Sequence, residues 1–192
     1  NYSSFSTRSQ SLLRLRKNVG RRVLNQLIKT STGTKNLYQN MKITIVAVGK
    51  LRRSIFNQLY SLYAKRLRWE LRLREIEPHN SKNIKEQQRH ESARLLALIP
   101  NSAHIIILDE NGETLSSSGL ASWIDSKIQN GSKDICIVIG GANGLDLDVF
   151  PKSHLILALG RLTWPHLMVR GMILEQIYRV QQILSGHPYH KD

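Results

Sequence analysis

Three glycine-bearing segments and a polar C-terminal tail carry the residues of this chain that are best suited to chemistry. The segments are 108–112 (LDENG), 140–144 (GGANG) and 160–165 (GRLTWP), and the tail is 186–191 (GHPYHK). Glycine allows backbone amides and carbonyls to approach a ligand with no side chain in the way. Tyr189 and His190 in the tail have side chains that suit proton transfer. The pattern predicts a backbone-lined ligand cleft and a tail that belongs to an active site.

The elements that must position these segments follow from the hydrophobic pattern. Apolar runs predict strands at 42–48, 104–109, 134–139 and 154–159, and alternating residues predict a half-exposed edge strand at 70–76. Helical spacing predicts helices at 54–68, 84–99, 116–129 and 165–185, and Asn111-Gly112 predicts a turn. Strands that alternate with helices indicate an α/β fold with a mainly parallel sheet. The three glycine-bearing segments then lie at the carboxyl ends of strands, where such sheets bind ligands.

Two other kinds of site are disfavoured by the sequence. The spacing at 140–144 is G-G-x-x-G, and no acidic residue follows at the distance that a dinucleotide ribose requires, which argues against a dehydrogenase. Cys136 is the single cysteine and lies in an apolar run, so we expect an inert core thiol and no internal disulfide. No metal site is expected. For any one glycine segment taken alone, a simple tight turn remains the alternative.

The charge of the chain is large and unevenly distributed. Lys and Arg number 28 against 14 acidic residues, a net charge of +14, which points to nucleic acid first and an anionic membrane surface second. Residues 1–40 contain eight basic residues and no acid, are rich in serine and threonine, and space apolar residues helically. We expect an organellar transit peptide at 1–40, for chloroplast or mitochondrion, and one domain at 41–192. An RNA-binding arm or a membrane-surface helix are the alternatives for 1–40, and no apolar stretch approaches membrane-spanning length.

Ordered motifs from Met41 onward resemble the RlmH family, the SPOUT-superfamily methyltransferases that act on large-subunit ribosomal RNA. The matching motifs are 41–51 (MKITIVAVGKL), 115–121 (LSSSGLA), 139–145 (IGGANGL), 162–166 (LTWPH), 175–179 (EQIYR) and 188–191 (PYHK). The resemblance covers essentially all of 41–192 and none of the extension.

The resemblance implies a C-terminal trefoil knot, a homodimer and S-adenosylmethionine as the cofactor. It also implies methylation of N3 of a pseudouridine in the rRNA stem-loop that bridges the ribosomal subunits, so rRNA or the ribosome is the expected partner. The expected cofactor contacts are Leu108, Gly140, Gly141, Gly160, Arg161, Leu162, Thr163, Trp164 and Pro165. The pair Gly160-Arg161 departs from the family pattern, which backbone contacts would tolerate.

The candidate catalytic residues are His166, Tyr189 and His190, as proton acceptors or water-orienting groups. A helix-capping role for His166 and a merely ordered tail are the alternatives. The candidate RNA-binding residues are Arg52, Arg53, Arg170, Arg179 and Lys191. A solvated basic face is the alternative for the first two, and a surface salt bridge with Glu175 is the alternative for Arg179.

Asp109 and Glu110 either touch cofactor hydroxyls or shape the turn that they occupy. The second candidate function is a catalytically silent RNA-binding or ribosome-assembly protein of the same fold. Another SPOUT enzyme, acting on tRNA, is a weaker third.

Overall fold

One parallel sheet organises the chain. The computed structural model describes residues 38, 40–52, 54–151 and 154–189. Their five strands run in the order β2-β1-β4-β3-β5, and every neighbouring pair is parallel. The strands are β1 (Lys42–Val48), β2 (Glu70–Ile76), β3 (His104–Glu113), β4 (Asp134–Ile139) and β5 (Leu155–Leu157). The predicted α/β class with a mainly parallel sheet is confirmed.

Helices cover both faces of the sheet. They are α1 (Ile55–Arg66), α2 (Ile84–Leu96), α3 (Ser117–Gln129) and α4 (His166–Leu184), with a 3₁₀ turn at Leu147–Val149. Residues of α1, α3 and α4 join Ile43, Ile45 and Ile137 in one core cluster. The other cluster, around Val46 and Val138, contains Leu95 of α2 and Phe150 beside the 3₁₀ turn. Side chains alternate between the two faces along a strand, so β1 and β4 need apolar residues at nearly every position.

Burial accounts for two predictions that are confirmed. β2 lies at the edge of the sheet, and its residues alternate between exposed and partly buried up to Ile76. Cys136 on β4 is fully buried, and desolvation raises the pKa of its thiol to about 12. The thiol therefore stays protonated and serves as a core residue.

Four predicted elements differ by two residues or more at one end. The helix predicted at 54–68 is Ile55–Arg66. The helix predicted at 84–99 stops at Leu96, because Leu98 and Ile99 donate to carbonyls three residues back in a tighter turn before Pro100. The strand predicted at 154–159 is only Leu155–Leu157. The strand predicted at 104–109 continues to Glu113.

The predicted turn at Asn111-Gly112 lies inside β3 as a bulged segment. Leu157 of β5 pairs with both Leu108 and Glu113, so residues 109–112 loop out from the ladder. A Cβ on Gly112 would lie 2.8 Å from the backbone of Ile156 and Leu157, which excludes a larger residue there.

The last helix begins and ends as its sequence predicts. Pro165 precedes its first residue, His166, and Gly186 follows its end with φ of +68°. Gly186 and His187 donate backbone hydrogen bonds to Ile183 and Gln182, which completes a Schellman cap. Among the described helices, none is long and apolar enough to cross a membrane.

Tyr38 belongs to the folded unit, although the sequence assigned it to the extension. Its carbonyl accepts a hydrogen bond from the buried Trp69 indole at 2.7 Å, and its hydroxyl donates to Asp125 at 2.9 Å. The compact unit accordingly starts at Tyr38. Residues 1–37 lie outside the described residues, and the transit-peptide interpretation of the extension stays a prediction.

Candidate active site

The three glycine-bearing segments meet in one cleft of about 900 Å³ at the carboxyl edge of the sheet. They meet because β3, β4 and β5 are parallel, so that all three strands end at the same edge. The predicted site residues that line the cleft are Leu108, Gly140, Gly141, Gly160, Leu162, Thr163, Trp164, Pro165 and His166. Arg161 is exposed and is not among the lining residues.

The segment 140–144 forms a tight turn that only glycines permit. Gly144 has φ of +76°, and its amide donates to the Gly141 carbonyl at 3.1 Å. A Cβ on Gly140 would lie 2.9 Å from Cγ of Leu145. Backbone atoms therefore form this wall of the cleft.

Helix α2 fixes that turn through side-chain hydrogen bonds, which were not predicted from the sequence. Gln88 donates its side-chain amide to the Asn143 carbonyl at 2.5 Å, and Asn143 donates its own side-chain amide to Gln87 at 3.0 Å. The hydroxyl of Ser92 accepts from the Asp146 amide at 2.9 Å. The sequence offers no signal for these contacts, because the burial of Glu91 and Ser92 on the inner face of the helix is visible only in the structure.

The segment 160–165 is closed by two hydrogen bonds. Trp164 donates its indole N–H to the Leu159 carbonyl at 3.2 Å, and Thr163 donates its hydroxyl to Glu110 at 2.6 Å. Glu110 therefore bridges the bulge of β3 to this segment, while the Asp109 carboxylate accepts from the Asn111 amide at 2.8 Å and shapes the bulge. Leu162 remains 66% exposed beside the cleft and presents an apolar surface to it.

Among the described candidate catalytic residues, His166 is the one that lines the cleft. Burial lowers the pKa of its imidazole, the positive charge of Arg170 lowers it further, and Glu91 opposes both. The ring is consequently neutral near physiological pH and can accept a proton. A capping role does not fit, because α4 has no side-chain hydrogen bond at its N-cap, Pro165.

Arg170 does not fit the predicted role of an RNA contact. The residue has no exposed surface, and its guanidinium donates to the Glu75 carboxylate and, at 2.7 Å each, to the carbonyls of Val48 and Gly49. Desolvation lowers the pKa of the group, while Glu75 raises it. Arg170 fastens the start of α4 to the end of β1, and no phosphate can reach it.

Arg179 and Tyr189 form a separate polar cluster with Glu175. Arg179 donates to Glu175 at 2.6 Å and lies over the Tyr189 ring at 5.0 Å, so the salt-bridge alternative is observed. The Tyr189 hydroxyl also donates to Glu175, at 3.3 Å, and desolvation raises the pKa of Tyr189 to about 12. Tyr189 is not among the residues that line the cleft.

The remaining predicted residues are exposed or outside the description. Arg52 is exposed, beyond the carboxyl end of β1. Arg53, His190 and Lys191 lie outside the described residues, so their roles stay predictions. Among the residues that the structure covers, no group of three or more His, Cys, Asp or Glu could hold a metal ion.

The fold and the cleft define an α/β protein with a backbone-lined ligand site at the edge of a parallel sheet. The family described as "Predicted SPOUT methyltransferase" matches residues 41–190. The chain therefore belongs to the SPOUT methyltransferase family, which confirms the resemblance and makes the protein a methyltransferase.

Individual relatives agree with this membership. The "Ribosomal RNA large subunit methyltransferase H" of Rhodospirillum centenum is 44% identical over 151 residues, which span 79% of this chain and 99% of that protein. Proteins of the same name from Rhizobium leguminosarum bv. trifolii and Agrobacterium fabrum are each 38% identical over 159 residues, with the same coverage. A solved "probable methylase family protein" from Haemophilus influenzae has a TM-score of 0.45 and 12% identity over 81% of this chain and 72% of that one, and adds nothing to the assignment.

Proposed function

We propose that this protein is an rRNA methyltransferase that transfers a methyl group from S-adenosylmethionine to N3 of a pseudouridine in large-subunit rRNA. The observation that carries the proposal is the convergence of all three glycine-bearing segments in one cleft of about 900 Å³. The relatives align with this chain over almost their whole length, and their names support rRNA of the large subunit as the substrate. The net charge of +14 suits such a polyanion.

The residues of the cleft fit S-adenosylmethionine. Gly160 has φ of +99°, and among the described residues no atom lies within 4 Å of where its Cβ would be, so its backbone faces open space. Leu108, Leu162 and Trp164 offer apolar surface to an adenine ring. We assign the cofactor to the backbone of Gly140, Gly141 and the segment 160–165, with Arg161 contributing through its backbone alone. Bound there, S-adenosylmethionine would supply an electrophilic methyl group.

The chain itself has two tasks in the proposed reaction. The cleft fixes the orientation of donor and acceptor, and such alignment can supply a large part of the acceleration. The acceptor nitrogen must also lose its proton, and the neutral imidazole of His166 is placed at the cleft to accept it. Tyr189 stays protonated near neutral pH and suits the orientation of a substrate or a water molecule.

With Arg170 excluded, four of the five residues predicted to contact RNA remain candidates. Arg52 is exposed near the carboxyl edge and suits a phosphate contact. Arg179 is paired with Glu175 and would have to exchange that partner for RNA. Arg53, His190 and Lys191 keep the roles proposed from the sequence.

We further propose a homodimer and a knotted C-terminal region, as in the RlmH family. A groove of about 540 Å³ between α1, α3 and α4 has apolar walls that include Leu59, Tyr63 and Met172. Ile55 and Leu62 on α1 are exposed by 73% and 45%. Apolar surface of this kind favours association with a second chain. Light scattering of the purified chain tests the assembly, and a monomeric mass would contradict it.

The extension 1–40 is proposed to direct the protein to an organelle, whose ribosome then supplies the substrate. A fusion of residues 1–40 to a fluorescent protein should enter chloroplasts or mitochondria. A fusion in which Arg14, Arg16, Arg21 and Arg22 are changed to Glu is the matched control and should stay outside. Diffuse fluorescence from the unchanged fusion would contradict the proposal.

Methyl transfer tests the central proposal directly. The full chain is incubated with radiolabelled S-adenosylmethionine and either assembled ribosomes or stripped rRNA of organellar type. Label at N3 of a pseudouridine, located by nuclease digestion and mass spectrometry, is the expected result. Cofactor binding without transfer to either substrate would reject the rRNA assignment. Absence of both would favour the catalytically silent alternative.

A further inference from the structure

Glu91 is a buried carboxylate with one oxygen unused. The residue lies on α2 and is 1% exposed. Its Oε1 accepts hydrogen bonds from the His79 amide at 2.8 Å and from the Gln87 side chain at 3.1 Å. Its Oε2 has no hydrogen-bond partner among the described residues, and none of their salt bridges includes it. A buried carboxylate without a cationic partner is costly, so a positive charge nearby is strongly favoured.

The unused oxygen points at the wall of the cleft. A Cβ on Gly141 would lie 3.0 Å from Oε2 of Glu91 and 3.2 Å from Cγ1 of Val48. Gly141 lines the cleft, so a residue without a side chain lies between this carboxylate oxygen and a molecule bound there. The apolar Val48 on the other side screens the charge poorly, and electrostatic effects reach further where water is excluded.

Other charges near the cleft are compensated or solvated. Arg170 is neutralised by Glu75, and Glu110 is exposed and accepts the Thr163 hydroxyl. Asp109 is engaged with the Asn111 amide. The field of Glu91 does reach the cleft, because its charge raises the pKa of His166, another lining residue.

We infer that Glu91 is a specificity-determining residue, which makes the cleft prefer a cationic sulfonium ligand over the corresponding neutral thioether. The inference rests on the proposed function. In methyl transfer the methyl group moves from the sulfonium sulfur to the acceptor nitrogen, which gives up its proton, so the cationic cofactor becomes the neutral S-adenosylhomocysteine. The amino and carboxylate groups of the two molecules are the same. Glu91 therefore favours binding of S-adenosylmethionine and promotes release of S-adenosylhomocysteine.

Calorimetric titration of the full chain with S-adenosylmethionine and S-adenosylhomocysteine tests this role without measuring activity. Glu91→Gln keeps the size and an acceptor oxygen but removes the charge. The variant should lose about tenfold in affinity for S-adenosylmethionine, equivalent to about 1.4 kcal/mol, and less than about twofold for S-adenosylhomocysteine. Sinefungin carries an ammonium group in place of the methylsulfonium. Its affinity for the variant should therefore fall in parallel with that of S-adenosylmethionine.

Glu86→Gln is the matched control, because Glu86 lies on the same helix, is exposed, and its carboxylate accepts a hydrogen bond only from the Ser81 hydroxyl among the described groups. It should leave both affinities unchanged. If Glu91→Gln lowered the affinity for both ligands equally, Glu91 would only shape the glycine turn, and the inference would be overturned. Unchanged affinity for both ligands would overturn it as well. Thermal unfolding of each variant establishes that it is folded. If the unsubstituted chain binds neither ligand, the proposed cofactor itself fails, and that result is distinct from the loss of selectivity.

Discussion

Arg170 and Arg179 lie on the same helix, yet burial gives their guanidinium groups different roles. Arg170 has no exposed surface and is bound by Glu75 and two carbonyls. Arg179 keeps 26% of its side chain exposed in an i,i+4 pair with Glu175. Truncation of a buried ionic partner leaves a charge uncompensated, whereas a surface pair of this spacing contributes little.

Arg170→Met should therefore lower the free energy of unfolding by about 3–5 kcal/mol, since the Glu75 carboxylate loses its counter-charge. Arg179→Met should lower it by about 0.5 kcal/mol or less. Urea unfolding at neutral pH measures both. Similar effects of the two substitutions would contradict the structural role given to Arg170.

Gly141→Val should remove measurable binding of S-adenosylmethionine. The new Cβ would lie 3.0 Å from Glu91 and 3.2 Å from Val48, so the turn that lines the cleft must move. Calorimetry should detect no binding heat, because a displaced wall no longer complements the ligand. Gly131→Ala is the control: Gly131 does not line the cleft, and although its φ of +85° strains an alanine there, the new Cβ would meet no described atom within 4 Å, so stability alone should fall. Unchanged affinity in Gly141→Val would reject this cleft as the cofactor site.

His166 should make stability depend on pH below neutrality. Burial, followed by the charge of Arg170, lowers the pKa of His166 in the folded state, whereas the unfolded residue keeps its ordinary value. The unfolded state therefore binds the proton first, and stability falls as the pH drops from the ordinary histidine pKa towards the lowered pKa of the folded state, below which it levels off. Urea unfolding at pH 7.5 and 5.5 should show a smaller loss in His166→Asn than in the unsubstituted chain. An equal loss would contradict the lowered pKa.

At the scale of elements, α2 determines the shape of the glycine turn. Three of its residues, Gln87, Gln88 and Ser92, bond to residues 143–146, and Glu91 lies behind Gly141. Within the turn, the Gly144 amide bonds to the Gly141 carbonyl, and the side-chain hydrogen bonds that fix Asn143 come from a helix that is distant in sequence. The position of the cleft wall thus follows from packing of α2 on the sheet.

Gln88→Ala should loosen the turn without unfolding the domain. The Asn143 carbonyl would lose its hydrogen bond, a net effect of about 1 kcal/mol. If that whole free energy is lost from binding, affinity for S-adenosylmethionine should fall about fivefold, while the melting temperature should fall by only about 2–4 °C. Arg89→Ala, at an exposed neighbouring position, should change neither quantity. If Gln88→Ala binds the cofactor as the unsubstituted chain does, α2 does not control the wall.

At the scale of the whole molecule, the tail and the cleft are separated within one chain. Tyr189 bonds to Glu175, and Glu175 lies nine residues after His166 on α4, about 14 Å along the helix axis. If Tyr189 acts at a cleft, a homodimer offers the cleft of the partner. A role of Tyr189 in catalysis would then require the dimer.

Mixed dimers test whether Tyr189 of one chain acts at the cleft of the other chain. Gly141→Val damages only the cleft and Tyr189→Ala damages only the tail, so each variant alone should be inactive in methyl transfer. Coexpressed in equal amounts, the two should recover about a quarter of the unsubstituted activity, because random pairing in a two-fold dimer restores one site in half of the dimers. A dimer with both changes on one chain is the control for assembly. Inactive mixed dimers would show that each tail serves its own chain.

The sequence by itself determined the class of fold, the order of strands and helices, and the segments that form the cleft. These follow from local properties: apolar runs fix the central strands, glycine marks the turns, and parallel strands bring their carboxyl ends to one edge. The caps that the structure shows at Ser116 and Gly186 are equally local, because each depends on residues within one turn of its helix.

The tertiary structure decided which charged side chains are available. Arg170 resembled a surface cation in the sequence, because its partner Glu75 lies 95 residues away and only folding brings the two together. The contact of α2 with the glycine turn, the bulge of β3 and the anchoring of Tyr38 depend in the same way on distant partners. Burial and pairing are properties of the packed chain, and the pattern of neighbouring residues does not contain them.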